Sequence, residues 1–251
     1  MPDEFGVALY DGATGEALAR VLSVPRVVVL DEVTSTMDIA NELATAGAAA
    51  GTLVLADGQA AGRGRAGRRW ESRAGDGIWL TLVERLNDLS ALDVLSLRIG
   101  IRAARALDRF GPAPVGLKWP NDLYLPGGKL GGILVESRWR GSVPEWTAIG
   151  VGINVRGVAH PGGAALGDDV SRVEVLGELV PALRAAAAAR GHLDAGEIRE
   201  FAERDVTRGR ACREPVAGVV SGILANGALV IETSHGREQV REGSLVLEES
   251  K

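Results

Sequence analysis

Four arginines, Arg63, Arg65, Arg68 and Arg69, fall within seven positions of the stretch GRGRAGRRW from Gly62 to Trp70. The 251-residue chain that carries them has a net charge of -5, so positive charge is concentrated where the backbone is loosest. Gly62, Gly64 and Gly67 allow positive φ and close approach of a ligand, and guanidinium forks match phosphate or carboxylate oxygens two at a time. The stretch reads as an anion-binding loop; alone, it reads equally well as a solvated basic turn. Residues 62–67 also satisfy G-x-G-x-x-G, the dinucleotide fingerprint. That motif needs a strand leading directly into a helix, and here Arg68-Arg69-Trp70-Glu71-Ser72 and further glycine follow, with no helix N-terminus for a pyrophosphate.

Other residues suited to chemistry lie further along. Lys129-Leu130-Gly131-Gly132-Ile133-Leu134-Val135-Glu136 puts two glycines in an apolar strand, and Gly150-Val151-Gly152-Ile153-Asn154 repeats the device. Glycine inside a strand marks a bulge or the close approach of a ligand or backbone. Two neighbouring strands thinned in this way would form the floor of a slot for a flat or extended ligand. Before them, Ser35-Thr36 stands where an amphipathic helix begins. Capping accounts for the hydroxyls, and a helix N-terminus there would also offer donors to a polar ligand head.

The elements that must position these residues follow from periodicity and punctuation. Residues 16–22 allow a short helix, and Arg26 to Leu30 reads as a buried strand. A helix carrying Met37, Ile39, Ala40, Leu43 and Ala44 follows, capped by Thr34 or Ser35 and stopped by Gly47. Thr52 to Ala56 is a strand leading through Gln59 to the arginine loop, and Gly77 to Val83 is an apolar strand. One helix is predicted over 92–110. Gly116 to Trp119 then extends into the Pro120-Asn121-Asp122 turn, and a hairpin covers 123–137. After a glycine-rich loop from His160 to Gly167, Ser171 caps a helix that Pro181 should kink or split, and another helix runs from Asp194 to Thr207. Beyond Arg208-Gly209-Arg210 the pattern changes to short alternating runs with turns at Asn226-Gly227 and His235-Gly236, a small β-barrel-like appendage.

Composition narrows the function. With 46% hydrophobic residues the chain can bury a substantial core. No apolar run reaches the ~20 residues of a membrane span, and the acidic start Met1-Pro2-Asp3-Glu4 is unlike a signal peptide. A cytoplasmic location is therefore expected. Cys212 has no second cysteine to pair with, and His160, His192 and His235 have no ligand spacing, so no metal site is expected. The acidic balance gives no duplex nucleic-acid footprint, and residues 1–25 are too short for a helix-turn-helix domain.

Taken in order, Ser35-Thr36, Gln59 with GRGRAGRRW, KWPND at 118–122, KLGGILVE at 129–136 and GVGIN at 150–154 resemble the biotin–protein ligases, in the form without a DNA-binding extension. The resemblance runs from about Arg26 to the C-terminus. It implies an α+β fold: a mixed β-sheet flanked by helices, class II synthetase-like, over 26–207, and a small SH3-like β-barrel over 208–251, after an N-terminal extension, 1–25. It implies that MgATP activates biotin to biotinoyl-5'-AMP and that biotin then passes to a lysine of a biotin carboxyl carrier protein. DNA and membrane partners are not expected, and the protein would be a monomer or weak homodimer. A lipoate–protein ligase and a non-catalytic biotin sensor are the rival readings.

By the same resemblance, Lys129, Arg63 and Asp122 are catalytic: Lys129 near both carboxylate and α-phosphate, Asp122 orienting or deprotonating the acceptor lysine. Ser35, Thr36, Met37 and Gln59 would hold biotin. Gly62, Arg63, Gly64 and Arg65 would cover biotin and the adenylate phosphate, with Arg68 helping to order the loop; the loop's glycines separately predict that it is mobile until the adenylate orders it. Trp70, Asn121 and Asn154 would line the adenylate site, and Gly131, Gly132, Gly150 and Gly152 would let the ligand lie against backbone. Met37 stands where the family often has asparagine, and residues 243–251 end in glutamates rather than a basic residue.

Overall fold

The computed structural model describes residues 8–86, 88–158 and 161–248. His160, the first residues of the N-terminal extension and the C-terminal Glu249 to Lys251 lie outside the described residues.

The chain begins with α1 (Gly15–Val21) and β1 (Arg26–Val33), then α2 (Thr36–Thr45), β2 (Thr52–Arg63), β3 (Arg69–Ser72) and β4 (Gly77–Glu84). The helices α3 (Leu89–Asp93) and α4 (Leu95–Leu107) precede four strands, β5 (Gly116–Lys118), β6 (Asp122–Leu125), β7 (Gly128–Arg140) and β8 (Val143–Asn154). Two helices, α5 (Arg172–Ala188) and α6 (Ala195–Arg204), lead to β9 (Ala211–Glu214), β10 (Gly218–Ile223), β11 (Leu229–Thr233), β12 (Gly236–Val240) and β13 (Val246–Leu247). Strands β1 to β8 form one sheet in the order β1-β2-β4-β8-β7-β6-β5, with β3 paired to β2; β1 and β2 are parallel and the other pairs antiparallel. This is the mixed sheet flanked by helices that the sequence predicts. The last five strands form the second, small antiparallel sheet.

Both faces of the large sheet are covered near β1 and β2, which is why RVVVL reads as a continuous apolar run. Val27 and Val29 with Leu53 and Leu55 join the main core with α4 and α5, while Val28 and Leu30 with Val54 and Ala56 face α2 through Ala40 and Ala44. Past α2 that second face is open, and the candidate site occupies the opening. Cys212, Val220, Leu229 and Ile231 of the small sheet belong to the main core cluster, and Trp119 Nε1 donates to Gly227 O at 3.0 Å, so the two sheets share one interior.

Three expectations are corrected. The predicted 92–110 helix is two, divided at Val94, where ψ is 6°. Pro181 does not split α5 in two; the helix continues through it to Ala188. Proline costs a helix the bond from its own nitrogen to the carbonyl four residues back, here Gly177. Pro181 is exposed, on the side where water can satisfy that carbonyl, while Val175, Leu176, Leu179, Val180 and Leu183 are buried on the other face. The arginine stretch is no open loop: β2 continues to Arg63, a single 3-10 turn spans Arg65–Gly67, and β3 returns antiparallel with Gly62 opposite Trp70.

Candidate active site

A cavity of about 260 Å³ lies on the open face of the large sheet, between the N-terminus of α2, the β2–β3 hairpin and strands β7 and β8. It brings together Ser35, Thr36, Met37, Gln59, Arg63, Gly64, Arg65, Arg68, Trp70, Asn121, Asp122, Lys129, Gly132, Gly150 and Gly152. Of the residues singled out in the sequence, Gly62, Gly131 and Asn154 stand outside its lining.

One end is a hydroxyl–amide network. Ser35 caps α2 by accepting from Met37 N at 3.3 Å. The parallel pairing of β1 with β2 sets Val33 opposite Gln59, which brings the Gln59 amide against the start of α2. Gln59 Oε1 accepts from Thr36 N at 2.9 Å and from Thr36 Oγ1 at 3.2 Å, while Gln59 Nε2 donates to Ser72 Oγ at 2.7 Å. Thr36 Oγ1 and Thr81 Oγ1 are 2.9 Å apart. Ser72 and Thr81 were not singled out in the sequence, because a lone hydroxyl on a strand carries no signal until its neighbours are known.

The floor comes from sheet register. Gly132 pairs with Gly152 and Leu134 with Gly150, so Gly132, Gly150 and Gly152 share one face. A Cβ on Gly152 would stand 2.6 Å from Trp70 Cε2 and Nε1, and one on Gly132 would stand 3.1 Å from Trp70 Cζ3. The space opened by these glycines is thus covered by the Trp70 indole. Trp70 Nε1 is buried without a hydrogen-bond partner among the described residues, a donor that a ligand oxygen would satisfy. Gly131 faces the opposite way; a Cβ there would meet Ile153 Cδ1 at 2.6 Å, so its role is to let β7 pack into the core. Gly62 is needed by the hairpin, since a Cβ would stand 2.4 Å from Trp70 O.

Lys129 lies between the floor and the hairpin. Its Nζ donates to Asp122 Oδ1 at 2.6 Å and is 5.2 Å from the Trp70 ring centroid, within cation–π range. Its backbone is held by Lys129 N to Gly162 O at 2.9 Å and Ala164 N to Lys129 O at 2.9 Å. Buried Asn154 joins this frame, donating from Nδ2 to Lys129 O at 3.3 Å and Ala164 O at 3.1 Å, so it acts on the cavity through the Lys129 backbone.

The hairpin is tied by the protein's own groups. Arg63 donates to Asp38 Oδ1 at 2.8 Å and to Glu136 Oε1 at 2.7 Å. Arg65 donates to Asn121 Oδ1 at 3.3 Å, and Arg68 to Ser244 Oγ at 3.0 Å, from the small sheet's loop. Arg69 bonds to Ala60 O. Burial pulls the Arg65 guanidinium below its ordinary range, against the attraction of Asp122, yet arginine keeps its charge. Asp38 and Glu136 were missed in the sequence because acidic side chains on exposed faces are ordinary. Among the described residues, no group of three His, Cys, Asp or Glu side chains is arranged to hold a metal ion, and no helix is long and apolar enough to cross a membrane.

Such a site can accommodate a small ligand with a polar head at one end and an anionic group at the other, under a cationic hairpin. The chain belongs to the biotin/lipoate A/B protein ligase family, whose model matches residues 29–154. It is 32% identical over 210 residues to the biotin--[acetyl-CoA-carboxylase] ligase of Paracoccus denitrificans, a match covering 74% of this chain and 86% of that protein. The bifunctional ligase/repressor BirA of Bacillus spizizenii is 39% identical over 126 residues, which is 50% of this chain and 39% of the relative, so the chain matches well under half the length of that protein. Among solved structures, the biotin protein ligase from Aquifex aeolicus in complex with biotin and ATP is similar, with a TM-score of 0.70 and 26% identity over 89% of this chain and 99% of that one.

Proposed function

We propose that this chain is a biotin–protein ligase. In the first step a biotin carboxylate oxygen attacks the α-phosphorus of MgATP, the bond to the β-phosphate breaks, and pyrophosphate leaves. In the second, the neutral amine of a lysine on a biotin carboxyl carrier domain attacks the acyl carbon of biotinoyl-5'-AMP. The acyl–phosphate bond breaks, AMP leaves, and the amine's proton passes to a base. The observation that carries the reading is that one cavity holds a hydroxyl–amide end, a glycine floor and the Lys129 ammonium beneath an arginine hairpin.

Biotin's ureido ring offers donors and an acceptor to Ser35, Thr36 and Gln59, while the Met37 thioether, only 2% exposed, meets its apolar part. The dithiolane of lipoate offers the hydroxyl–amide end nothing, and a site built from hydrogen-bonding groups discriminates strongly against a ligand that lacks the partners. Both steps gather negative charge on phosphate oxygens. Lys129, with Arg63, Gly64, Arg65 and Arg68 above, supplies preorganised cations and backbone donors for it. Gly132, Gly150 and Gly152 admit the extended ligand against backbone, with Trp70 and Asn121 beside the adenylate. Asp122, which accepts from Lys129, would orient or deprotonate the acceptor amine. Mg²⁺ would arrive with ATP as its counterion.

Biotin, ATP and the carrier domain are the partners of this reading. It places the protein in the cytoplasm, as a monomer or weak homodimer, without a DNA partner, and takes residues 26–207 as the catalytic unit and 208–251 as its SH3-like companion. Biotin-dependent exchange of labelled pyrophosphate into ATP tests the activation step, and transfer of label to a carrier domain tests the second.

A further inference from the structure

The open face of the large sheet does not end at the cavity. Asp122 pairs with Gly132 on one side and with Lys118 on the other, and Gly116 pairs with Tyr124. Alternation along β5 and β6 puts Lys118, Asp122 and Tyr124 on one face, with Leu117 and Leu123 in the core. The face that carries the Lys129–Asp122 pair therefore continues, one strand spacing of ~5 Å away, into a second groove of about 460 Å³. Pro126, Val206 and Leu247 give this groove apolar surface, and its charged lining side chains are Lys118 and Arg210. It spans the two sheets, since Arg210 and Leu247 come from the C-terminal strands' end of the chain.

Three observations say what would lie there. The first is charge. A chain of net charge -5 sets two cations and no acid along this groove. The half-buried Lys118 ammonium is held below its ordinary range by burial, with Lys129, Arg210 and Arg68 adding repulsion and Asp122 opposing them. A partner's carboxylate would balance that excess. The second is the closed edge of β5. Val206 N donates to Leu117 O at 3.0 Å and Leu117 bridges to Asp205, so an incoming chain cannot extend the sheet and must lie across its face. The third is proximity: Lys118 pairs across the strands with Asp122, which accepts from Lys129, so the groove lies one strand from that pair.

We propose that this groove docks the segment of the acceptor protein that flanks its target lysine, with acceptor carboxylates against Lys118 and Arg210 and an apolar acceptor side chain on Pro126, Val206 and Leu247. The inference rests on the ligase reading above. It assigns to Lys118 and Arg210 a part in acceptor recognition and none in biotin activation.

The test separates the two steps in the full chain. Biotin-dependent ATP–pyrophosphate exchange, which needs no acceptor, is measured for the wild type, Lys118→Glu and Arg210→Glu. Transfer of labelled biotin is then measured to a biotin carboxyl carrier domain and, separately, to hydroxylamine, a small nucleophile that needs no docking. Exchange and hydroxylamine capture are expected within about twofold of wild type, while KM for the carrier domain rises at least tenfold with kcat much less affected. Arg210→Lys is expected to keep the wild-type KM. Carrier KM within twofold of wild type in both charge-reversed variants overturns the docking proposal, as does a loss of exchange equal to the loss of transfer. A wild-type protein with no biotin-dependent exchange overturns the ligase reading itself, and the docking proposal with it. Arg210 is exposed, so its reversal tests the surface without threatening the fold.

Discussion

Adding one methyl group to the cavity floor tests the geometry of the site most finely. In Gly152→Ala the new Cβ would stand 2.6 Å from the Trp70 indole, whereas carbon atoms settle at ~3.5–4.0 Å. The rigid ring must move by about 1 Å or the strands must part. Overpacking of this kind costs about 1–3 kcal/mol, which for a chain of this size lowers Tm by about 2–12 °C. Gly150→Ala provides the contrast. Its Cβ would meet Met37 Cε at 2.8 Å, the free end of a flexible side chain that can turn aside, so a loss under about 1 kcal/mol is expected. Because the clash is with Trp70, removing the indole should remove it. Thermal melts of wild type, Gly152→Ala, Trp70→Ala and the double variant form a cycle whose coupling energy should be about 1–2 kcal/mol in favour of the double variant. An additive cycle, with Gly152→Ala equally costly when Trp70 is alanine, would refute the claim that the glycine floor is shaped around the indole.

Other perturbations follow from the ion pairs. Arg63, Asp38 and Glu136 are each about a third to two fifths exposed, and two such pairs are together worth about 1 kcal/mol. Asp38→Asn with Glu136→Gln should therefore speed tryptic nicking between Arg63 and Arg69 about fivefold and abolish its rise with salt; unchanged rates would show that these pairs do not hold the hairpin. Arg172 is buried between Asp11 and Asp57, with its guanidinium carbon 4.3 Å from the Tyr10 ring centroid. Arg172→Met should cost about 3 kcal/mol in urea unfolding by leaving Asp57 without its partner and Asp11 with Arg156 alone. Asp11 is held below the usual carboxylate range chiefly by its hydrogen bonds to Arg172. Its stabilising contribution is thus present above the unfolded aspartate value of about 3.9 and lost as pH falls through the lower folded value. Asp11→Asn should flatten the acid limb of the stability profile below about pH 4.

Most of the chemistry was legible in residue types: the cationic stretch, the lysine before two glycines and the hydroxyls at a helix start all line one cavity. Sheet register was not. Glycines 131 and 132 look alike in the sequence, and only the pairing of Gly132 with Gly152 decides that one faces the cavity and the other Ile153. The hairpin was hidden because Ala60 to Arg63 has no apolar alternation, although β2 runs through it to pair with β3. Its stability there comes from arginines bonded to Asp38, Glu136, Asn121 and Ser244, partners 25 to 176 residues distant that no local pattern announces. Asn154 carries a related lesson. Its place beside the glycine strand suggests a ligand contact, while its amide is occupied in holding the Lys129 backbone.

In the proposed reaction Lys129 and the arginine hairpin activate biotin's carboxylate with ATP. Pyrophosphate exchange tests it most directly, in wild type and in Lys129→Ala, with biotin and with lipoate as the acid. Exchange is expected with biotin in the wild type, none with lipoate, and loss of exchange in Lys129→Ala although the variant still melts cooperatively. Exchange with lipoate in place of biotin, biotin binding without any exchange, or full activity in Lys129→Ala would each contradict it.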